Sequence, residues 1–403
     1  MGVILPDAPF RHRDGLATLH AALGAGSARY VGGIVRDTLL GIDAADVDVA
    51  TIHPPAEVVA RLTDARIRVA PTGIAHGTVT ALLASGPVEV TTLRHDVSTD
   101  GRHAIVAFTD DWREDAARRD FTINALYAEP ETGAVHDYFA GLEDLRAGRV
   151  RFIGDPYARI TEDHLRILRF FRFHARFGAV VDPAGLAACA ARANDLMALS
   201  RERIASELLK LLVAPRAVAV VTLMIEHGIL RAVLPEIEDA GTLAALAERE
   251  AVAGVAPNAI RRLAALVPRE AADAIGARLK LSTADRRRLL TATAGVGDEG
   301  ARALAYRHGR DTAVDRLLIA GAPVTDVRDW MSPQLPIGGG ALVARGLRKG
   351  PAVAATLRRI ETRWIAEGFP DAARVDQIAD EAVATALRDS IIASASTDSS
   401  GRA

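Results

Sequence analysis

The chain has 403 residues, 49% hydrophobic and 25% charged, a length that calls for roughly two to three domains and a composition that excludes a mostly disordered polypeptide. Its 49 basic and 51 acidic residues leave a net charge of −2, which excludes a generally basic, histone-like binder but leaves room for a local basic groove. A single cysteine, Cys189, excludes intrachain disulfides and a cysteine zinc site, and fits a reducing compartment.

Near the N-terminus, Arg11, Arg13 and Asp14 interrupt the apolar stretches, so no signal peptide is expected. No uncharged run reaches the ~18–20 residues of a transmembrane helix, and a soluble cytoplasmic protein is the expectation. Up to about residue 145 short β-prone runs stand out, at Ala28–Val31, Val47–Ala50, Arg66–Ala70, Thr78–Leu83, Val88–Leu93 and Ala104–Phe108. Turns and a helix candidate after Pro54 and Pro55 separate them, which predicts an α+β unit with a mixed sheet. From about Asp155 the pattern is helical, with Ser200 as N-cap of a helix to about Leu212. Pro215, Pro257, Pro268 and Pro323 punctuate it, and Met331–Gly340 and Gly346–Pro351 are turns. The Ser-rich end, residues 389–403, is expected to be disordered.

Four stretches carry chemistry. Gly32-Gly33-Ile34-Val35-Arg36-Asp37 follows the first strand and opens a helix, so bare backbone N–H groups can approach an anion while Arg36 adds a charged fork. Read alone, such a glycine pair is more often a tight turn. In Asp46-Val47-Asp48 the strand period sends both carboxylates to one face and Val47 to the other. Two adjacent carboxylates with open positions suit Mg²⁺ shared with nucleotide phosphates. An isolated Asp-x-Asp is more often a solvated strand face. Arg118-Arg119-Asp120-Phe121-Thr122-Ile123-Asn124 is expected on a helix, where Asp120 and Asn124 share a face with room for a ribose.

The fourth stretch runs from Glu162 to Arg172. Asp163, Arg166, Arg169 and Arg172 recur every three residues, a drifting stripe on a helix, while Ile167, Leu168, Phe171 and Ala175 turn to the opposite side. Between Arg146 and Arg176 there are eight arginines against three acids, Asp155, Glu162 and Asp163. A solvated, ion-paired helix face is the ordinary reading of such charges. The order suggests something sharper, because an acceptor (Asp163) beside a donor fork (Arg166) matches the edge of cytosine or adenine. Uracil and guanine present the reverse pattern, and a good bidentate pair discriminates by roughly 1–3 kcal/mol.

Taken together, in this order and spacing, Gly32–Asp37, Asp46–Asp48, Arg118–Leu126 and Glu162–Arg166 resemble the motifs of class II tRNA nucleotidyltransferases. These are the CCA-adding enzymes, with bacterial poly(A) polymerases as close relatives. Ser200–Ile204 through Glu207 is similar to the family's next segment, which braces the base-reading helix, and Gly346 with Lys349-Gly350-Pro351 resembles its tail. The resemblance implies a polymerase-β-like nucleotidyltransferase head (1–150), a helical neck with the base-reading helix (151–215), a helical tRNA-binding body (216–330) and a helical tail (331–388). It implies catalytic metal ligation by Asp46 and Asp48, with Mg²⁺ as cofactor and Glu89 as a lesser third carboxylate. Nucleotide contacts fall to Gly33, Arg36, Arg119, Arg169 and Arg172, base reading to Asp163 and Arg166, and ribose contacts more weakly to Asp120 and Asn124.

The implied activity is template-independent addition of CCA to the 3′ end of tRNA from CTP and ATP, with no DNA or membrane partner. Asp100-Gly101-Arg102 resembles the family's flexible loop for switching from C to A, although His103-Ala104 replaces its usual Arg-Pro continuation. Asp137–Gly141 departs from the common Asp-Pro-x-Gly-Gly. The rivals are a poly(A) polymerase, a partial CC- or A-adding enzyme, and a non-catalytic tRNA-binding relative. The mildly acidic C-terminal end speaks against the first, and the intact Asp-Gly-Arg against a CC-only enzyme. A Rossmann dehydrogenase is poorer, since Gly32-Gly33 lacks the G-x-G-x-x-G spacing. Beyond residue 150, His164, His174, His227 and His308 are not followed by Asp, so no appended phosphohydrolase is expected.

Overall fold

The computed structural model describes residues 2–43, 46–99 and 104–399. They form two compact units, Met1–Ala240 with Ala274–Leu281, and Gly241–Asp273 with Ser282–Ala403. The expected boundaries at 150 and 215 fall inside the first unit and that at 330 inside the second.

The first unit opens with α1 (Leu16–Leu23), β1 (Ala28–Val31), α2 (Gly33–Leu39), β2 (Asp48–Thr51) and α3 (Pro55–Asp64). Next come β3 (Arg68–Gly73), β4 (Thr78–Leu83), β5 (Gly86–Thr92), β6 (Arg94–Thr99) and β7 (Ala104–Phe108). After α4 (Trp112–Ala117) the chain adds β8 (Leu126–Ala128) and β9 (Val135–Asp137). Seven strands make one sheet in the order β3-β4-β5-β2-β1-β8-β9, with β6 and β7 as a separate hairpin. Only the β2–β5 pair is parallel among the described pairings, with Asp48 opposite Glu89. A mixed sheet is therefore what the strand runs predicted.

Alternation along β2 decides which side chains reach which side. Val47 and Val49 join the core built with Leu16, Leu19, Val58 and Leu62 of α1 and α3. Ala50 joins a second cluster with Ala116 of α4, Tyr127 of β8 and Ile153. Asp48, one period before Ala50, shares this second face. In α3, Pro55 starts the helix, Val58 and Leu62 are buried at i, i+4, and Arg61 donates to Glu57 at 2.8 Å.

The remainder of this unit is helical: α5 (Gly141–Ala147), α6 (Pro156–Glu162), α7 (Leu165–Phe177), α8 (Pro183–Ala191), α9 (Arg201–Leu212) and α10 (Ala217–Glu226). On α7, Ile167, Leu168, Phe171 and Ala175 are buried as the helical period requires. Ser200 is the N-cap of α9. In the second unit the longest helices are α11 (Gly241–Ala253), α12 (Pro351–Ala366) and α13 (Ala372–Ser399), and Ile360, Trp364, Val375 and Ile378 centre a core there. No helix among the described residues is long and apolar enough to cross a membrane.

Three expectations are corrected. Residues 118–126 are not helical: α4 stops at Ala117, Phe121 is extended (φ −126°, ψ 148°), and Thr122–Asn124 is one 3₁₀ turn leading into β8. The Asp120 carboxylate accepts the Phe121 N–H at 2.9 Å, a local bond that competes with helix continuation. Second, the arginine stripe is not on one helix with Asp163. That residue lies between α6 and α7 with φ −151°, and its Oδ1 accepts the Leu165 N–H at 3.1 Å. Third, α13 continues through Ser399, past residue 389 where disorder was expected. Its Ala- and Ile-rich stretch can be added to an existing helix at low cost. The stretch Asp100–His103 lies outside the described residues.

Candidate active site

An open cleft of about 690 Å³ in the first unit gathers residues from every one of the four motif stretches. Gly33, Arg36, Asp46, Asp48, Arg119, Asp120, Asn124, Asp163, Arg166, Arg169 and Arg172 all line it. Gly32, Arg118, Phe173 and Arg176 line it as well. Arg176 continues the arginine stripe by one further turn, a signal that was available in the spacing. Phe173 was not distinguishable from core.

The floor is built by the turn after β1. Gly32 sits at φ 72°, ψ −121°, and a Cβ there would meet Nη1 of Arg119 at 3.3 Å and the Asn124 carbonyl at 3.6 Å. Only glycine suits that combination of backbone and crowding. The Gly32 N–H is already taken by Leu126 O at 3.1 Å, so it is not a donor to an anion. Arg36 is only 5% exposed. It donates from Nε to Asp37 at 2.7 Å and from Nη1 to Asn124, and lies 4.2 Å above the Phe177 ring. Burial pulls its pKa down, with Asp37 opposing. Arg36 therefore ties β1–α2 to α7 as much as it faces the cleft.

Asp48 opens β2 and Asp46 lies two residues before it. Burial lifts the Asp48 carboxyl above the ordinary carboxylate range; Glu89 and Asp46 push the same way and Arg119 opposes. Among the described residues no three His, Cys, Asp or Glu side chains form a ready metal cage. Glu89 is exposed and does not line the cleft, but it stands opposite Asp48 across the β2–β5 pair and acts on its carboxyl. A half-buried carboxylate crowded by like charge is one that a divalent cation relieves, and Mg²⁺ characteristically takes one or two protein carboxylates and completes its shell with phosphate and water. The donor set fits.

The arginine stripe also lines the cleft, and each of its guanidiniums is held by an acid or carbonyl. Arg169 Nε donates to Asp120 Oδ2 at 2.8 Å, and Asp120 Oδ1 accepts from Asn124 Nδ2 at 2.9 Å. Asp120 and Asn124, expected to share a helix face with a ribose between them, instead bond each other directly across a non-helical turn. Burial alone would raise the Asp120 carboxyl, yet Arg169 and Asn124 hold it low. Arg172 donates to Glu207 on α9 at 2.5 Å, and Arg176 to Asp37 at 3.2 Å. Arg166 donates from Nη1 to Glu162 at 2.5 Å and to Arg159 O at 2.9 Å, and from Nη2 to Arg118 O at 3.3 Å. Among the described residues its Nε–H and one Nη2 proton have no partner, and Asp163, with two oxygens, retains acceptor capacity beyond its bonds to Arg203 and Leu165.

Several supporting residues carried no local signal. Arg159, 8% exposed, donates from Nη2 to the carbonyls of Arg118 and Arg119 and so fixes that strand-like turn to α6. Asp115 and Tyr127 hold Arg119 itself. The motif resemblance had placed α9 as a brace, and Arg203 and Glu207 are the two side chains that do it.

Residues 28–151 match the family described as poly A polymerase head domain, and residues 180–240 one described as probable RNA and SrmB- binding site of polymerase A. The chain is 42% identical over 264 residues to the Danio rerio protein named CCA tRNA nucleotidyltransferase 1, mitochondrial, covering 64% of this chain and 61% of that one. It is 34% identical over 374 residues to the Mus musculus protein of the same name, covering 85% and 83%. A solved structure described as Bacillus stearothermophilus CCA-adding enzyme in complex with CTP superposes with a TM-score of 0.70 at 26% identity, covering 90% of this chain and 94% of that one. The chain spans under two thirds of the Danio rerio relative and more than four fifths of the mouse one.

Proposed function

This chain belongs to the family of CCA-adding tRNA nucleotidyltransferases, and from that premise we propose that it adds C, C and A to the 3′ end of tRNA, using CTP and ATP and no nucleic-acid template. The observation that carries the reading is one cleft lined together by Asp46, Asp48, Arg169, Arg172, Asp163 and Arg166. The tRNA 3′-hydroxyl attacks the α-phosphorus of the nucleotide, a phosphodiester forms and pyrophosphate leaves. Arg119, Arg169 and Arg172, with the bare backbone at Gly33, bind the triphosphate, and Arg36 sets the wall behind it. Arg169 and Arg172 exchange their contacts with Asp120 and Glu207 for phosphate oxygens, so the ion pairs keep the fork ordered before substrate arrives.

Asp163 accepts from the exocyclic amine of C or A, and Arg166 donates to the ring nitrogen. Asp46 and Asp48 would hold the divalent metal, Mg²⁺ in our reading, which when bound lowers the pKa of the attacking hydroxyl and neutralises charge on the departing pyrophosphate. The helical segments assigned as body and tail, 216–330 and 331–388, hold the tRNA through its phosphates, which makes binding salt-sensitive. Cytoplasm is the proposed setting, consistent with a chain holding one cysteine.

Primer extension tests the proposal. Transcripts ending before C, after C and after CC are offered CTP, ATP, UTP and GTP singly and together, with and without Mg²⁺. The expected product is C, C and A, stopping there. A long A-ladder would replace this reading by poly(A) polymerase, and a halt after CC by a partial enzyme. Intact tRNA binding with no extension would favour a non-catalytic relative.

A further inference from the structure

Arg119 does not stand alone in the cleft wall. Its Nη2 donates to Asp115 Oδ2 at 3.1 Å, and its Nε donates to the Tyr127 hydroxyl at 3.2 Å. That hydroxyl in turn donates to the same Asp115 oxygen at 2.6 Å, which closes a three-membered ring of contacts. The second carboxylate oxygen accepts from Arg118 Nε at 2.8 Å and from the Arg94 backbone N–H at 3.3 Å. Asp115 is 1% exposed and Tyr127 is fully buried, and neither lines the cleft. Tyr127 reaches the cleft through Arg119, and Asp115 through Arg119 and Arg118, both of which line it; Nη1 of Arg119 lies beside Gly32.

We propose that Asp115, with Tyr127, is a positioning residue: it locks the Arg119 guanidinium with Nη1 turned to the glycine floor, where the phosphates common to CTP and ATP would lie. The assignment rests on the nucleotide reading of this cleft. A long arginine side chain otherwise samples many rotamers, and fixing two of its nitrogens before the ligand arrives removes that ordering cost from binding. The anchor stays charged: burial alone would raise the Asp115 carboxyl, but Arg119 and Arg118 outweigh it and hold it near about 2. Among the described residues neither Asp115 nor Tyr127 bonds Asp163 or Arg166 directly, so their loss is expected to weaken both nucleotides alike rather than change base choice.

The test is equilibrium binding of CTP and of ATP, with Mg²⁺, to the full chain and to Arg119→Ala, Asp115→Asn, Tyr127→Phe and the Tyr127→Phe/Arg119→Ala pair. Arg119→Ala and Asp115→Asn are each expected to weaken both nucleotides by about tenfold, and Tyr127→Phe by about threefold, the range of a charged and a neutral hydrogen bond. The double variant should bind no worse than Arg119→Ala alone, since the hydroxyl acts only through that arginine. Wild-type affinity in both Asp115→Asn and Tyr127→Phe overturns the assignment, and so does a hydroxyl effect that persists in full without Arg119. If Asp115→Asn does not fold, Tyr127→Phe, which removes one hydroxyl, decides. Wild-type protein that binds neither nucleotide would sink the reading of the cleft and this assignment with it.

Discussion

Arg203 of α9 holds the Asp163 carboxylate by both oxygens, with Nη2 at 2.9 Å from Oδ2 and 3.1 Å from Oδ1. One turn further along, Glu207 takes Arg172 at 2.5 Å. One face of α9 thus fixes the residue proposed to accept the base amine and an arginine proposed to take phosphate. Asp163 is thus held from a second helix, whereas Arg166 is held by Glu162 and by the carbonyls of Arg159 and Arg118.

Removing that support should loosen base choice. Arg203→Ala is expected to reduce the preference for CTP and ATP over UTP and GTP by up to about tenfold, or ~1.4 kcal/mol, with the limit set by a pair that is partly solvent-exposed. Single-nucleotide incorporation with UTP measures it. Unchanged fidelity would leave Arg203 as a brace for the fold alone.

Asp46→Ala should abolish transfer while leaving tRNA affinity near that of the parent chain, because the proposed tRNA contacts are made through its phosphates by other segments. Filter binding beside extension separates the two, and transfer at full rate would remove Asp46 from the site.

Asp48 gives a pH signature. Its carboxyl is raised by burial and by Glu89 and Asp46, so the folded protein binds that proton more tightly than the unfolded chain. Without metal, the ionised form therefore costs stability at pH values above the raised folded pKa, and the cost disappears once the pH falls below the unfolded value. Asp48→Asn is expected to raise the metal-free Tm near about pH 7 and to leave it unchanged near about pH 3. Stabilisation of the parent chain by Mg²⁺ should fade on acidification sooner than an ordinary aspartate would allow. Calorimetry across this range, with and without Mg²⁺, decides it; a lower metal-free Tm for Asp48→Asn at neutral pH would contradict the sign.

The second unit has its own buried charge centre. Glu250, 1% exposed, accepts from Arg261 at 2.7 Å and Arg262 at 2.8 Å, and Asp315, fully buried, takes Arg261 at 3.3 Å and Arg288 at 2.7 Å. Glu250→Ala strands guanidiniums away from water and is expected to cost about 3–5 kcal/mol, lowering the Tm of this unit by roughly 10 °C. A shift of only a degree or two would mean that water or Asp315 takes over the pairing.

The amino-acid sequence by itself determined the parts set by local periodicity. Alternation at 46–48 buried Val47 and turned Asp46 and Asp48 to the cleft, and the helical period of α7 separated Ile167, Leu168, Phe171 and Ala175 from the arginines. Ala28–Val31 and Thr78–Leu83 were legible as strands to the residue. Short strands were not: β8 is three residues long and buried throughout, so no alternation marks it, and the motif leading into it passes for a helix. Tertiary structure alone decided which acid meets which arginine. Arg172 and Glu207 are 35 residues apart, Asp163 and Arg203 40, Asp120 and Arg169 49, and Asp37 and Arg176 139. No period in the chain encodes those pairings, because they follow from where the sheet, the turn at 118–126 and α9 come to rest against α7.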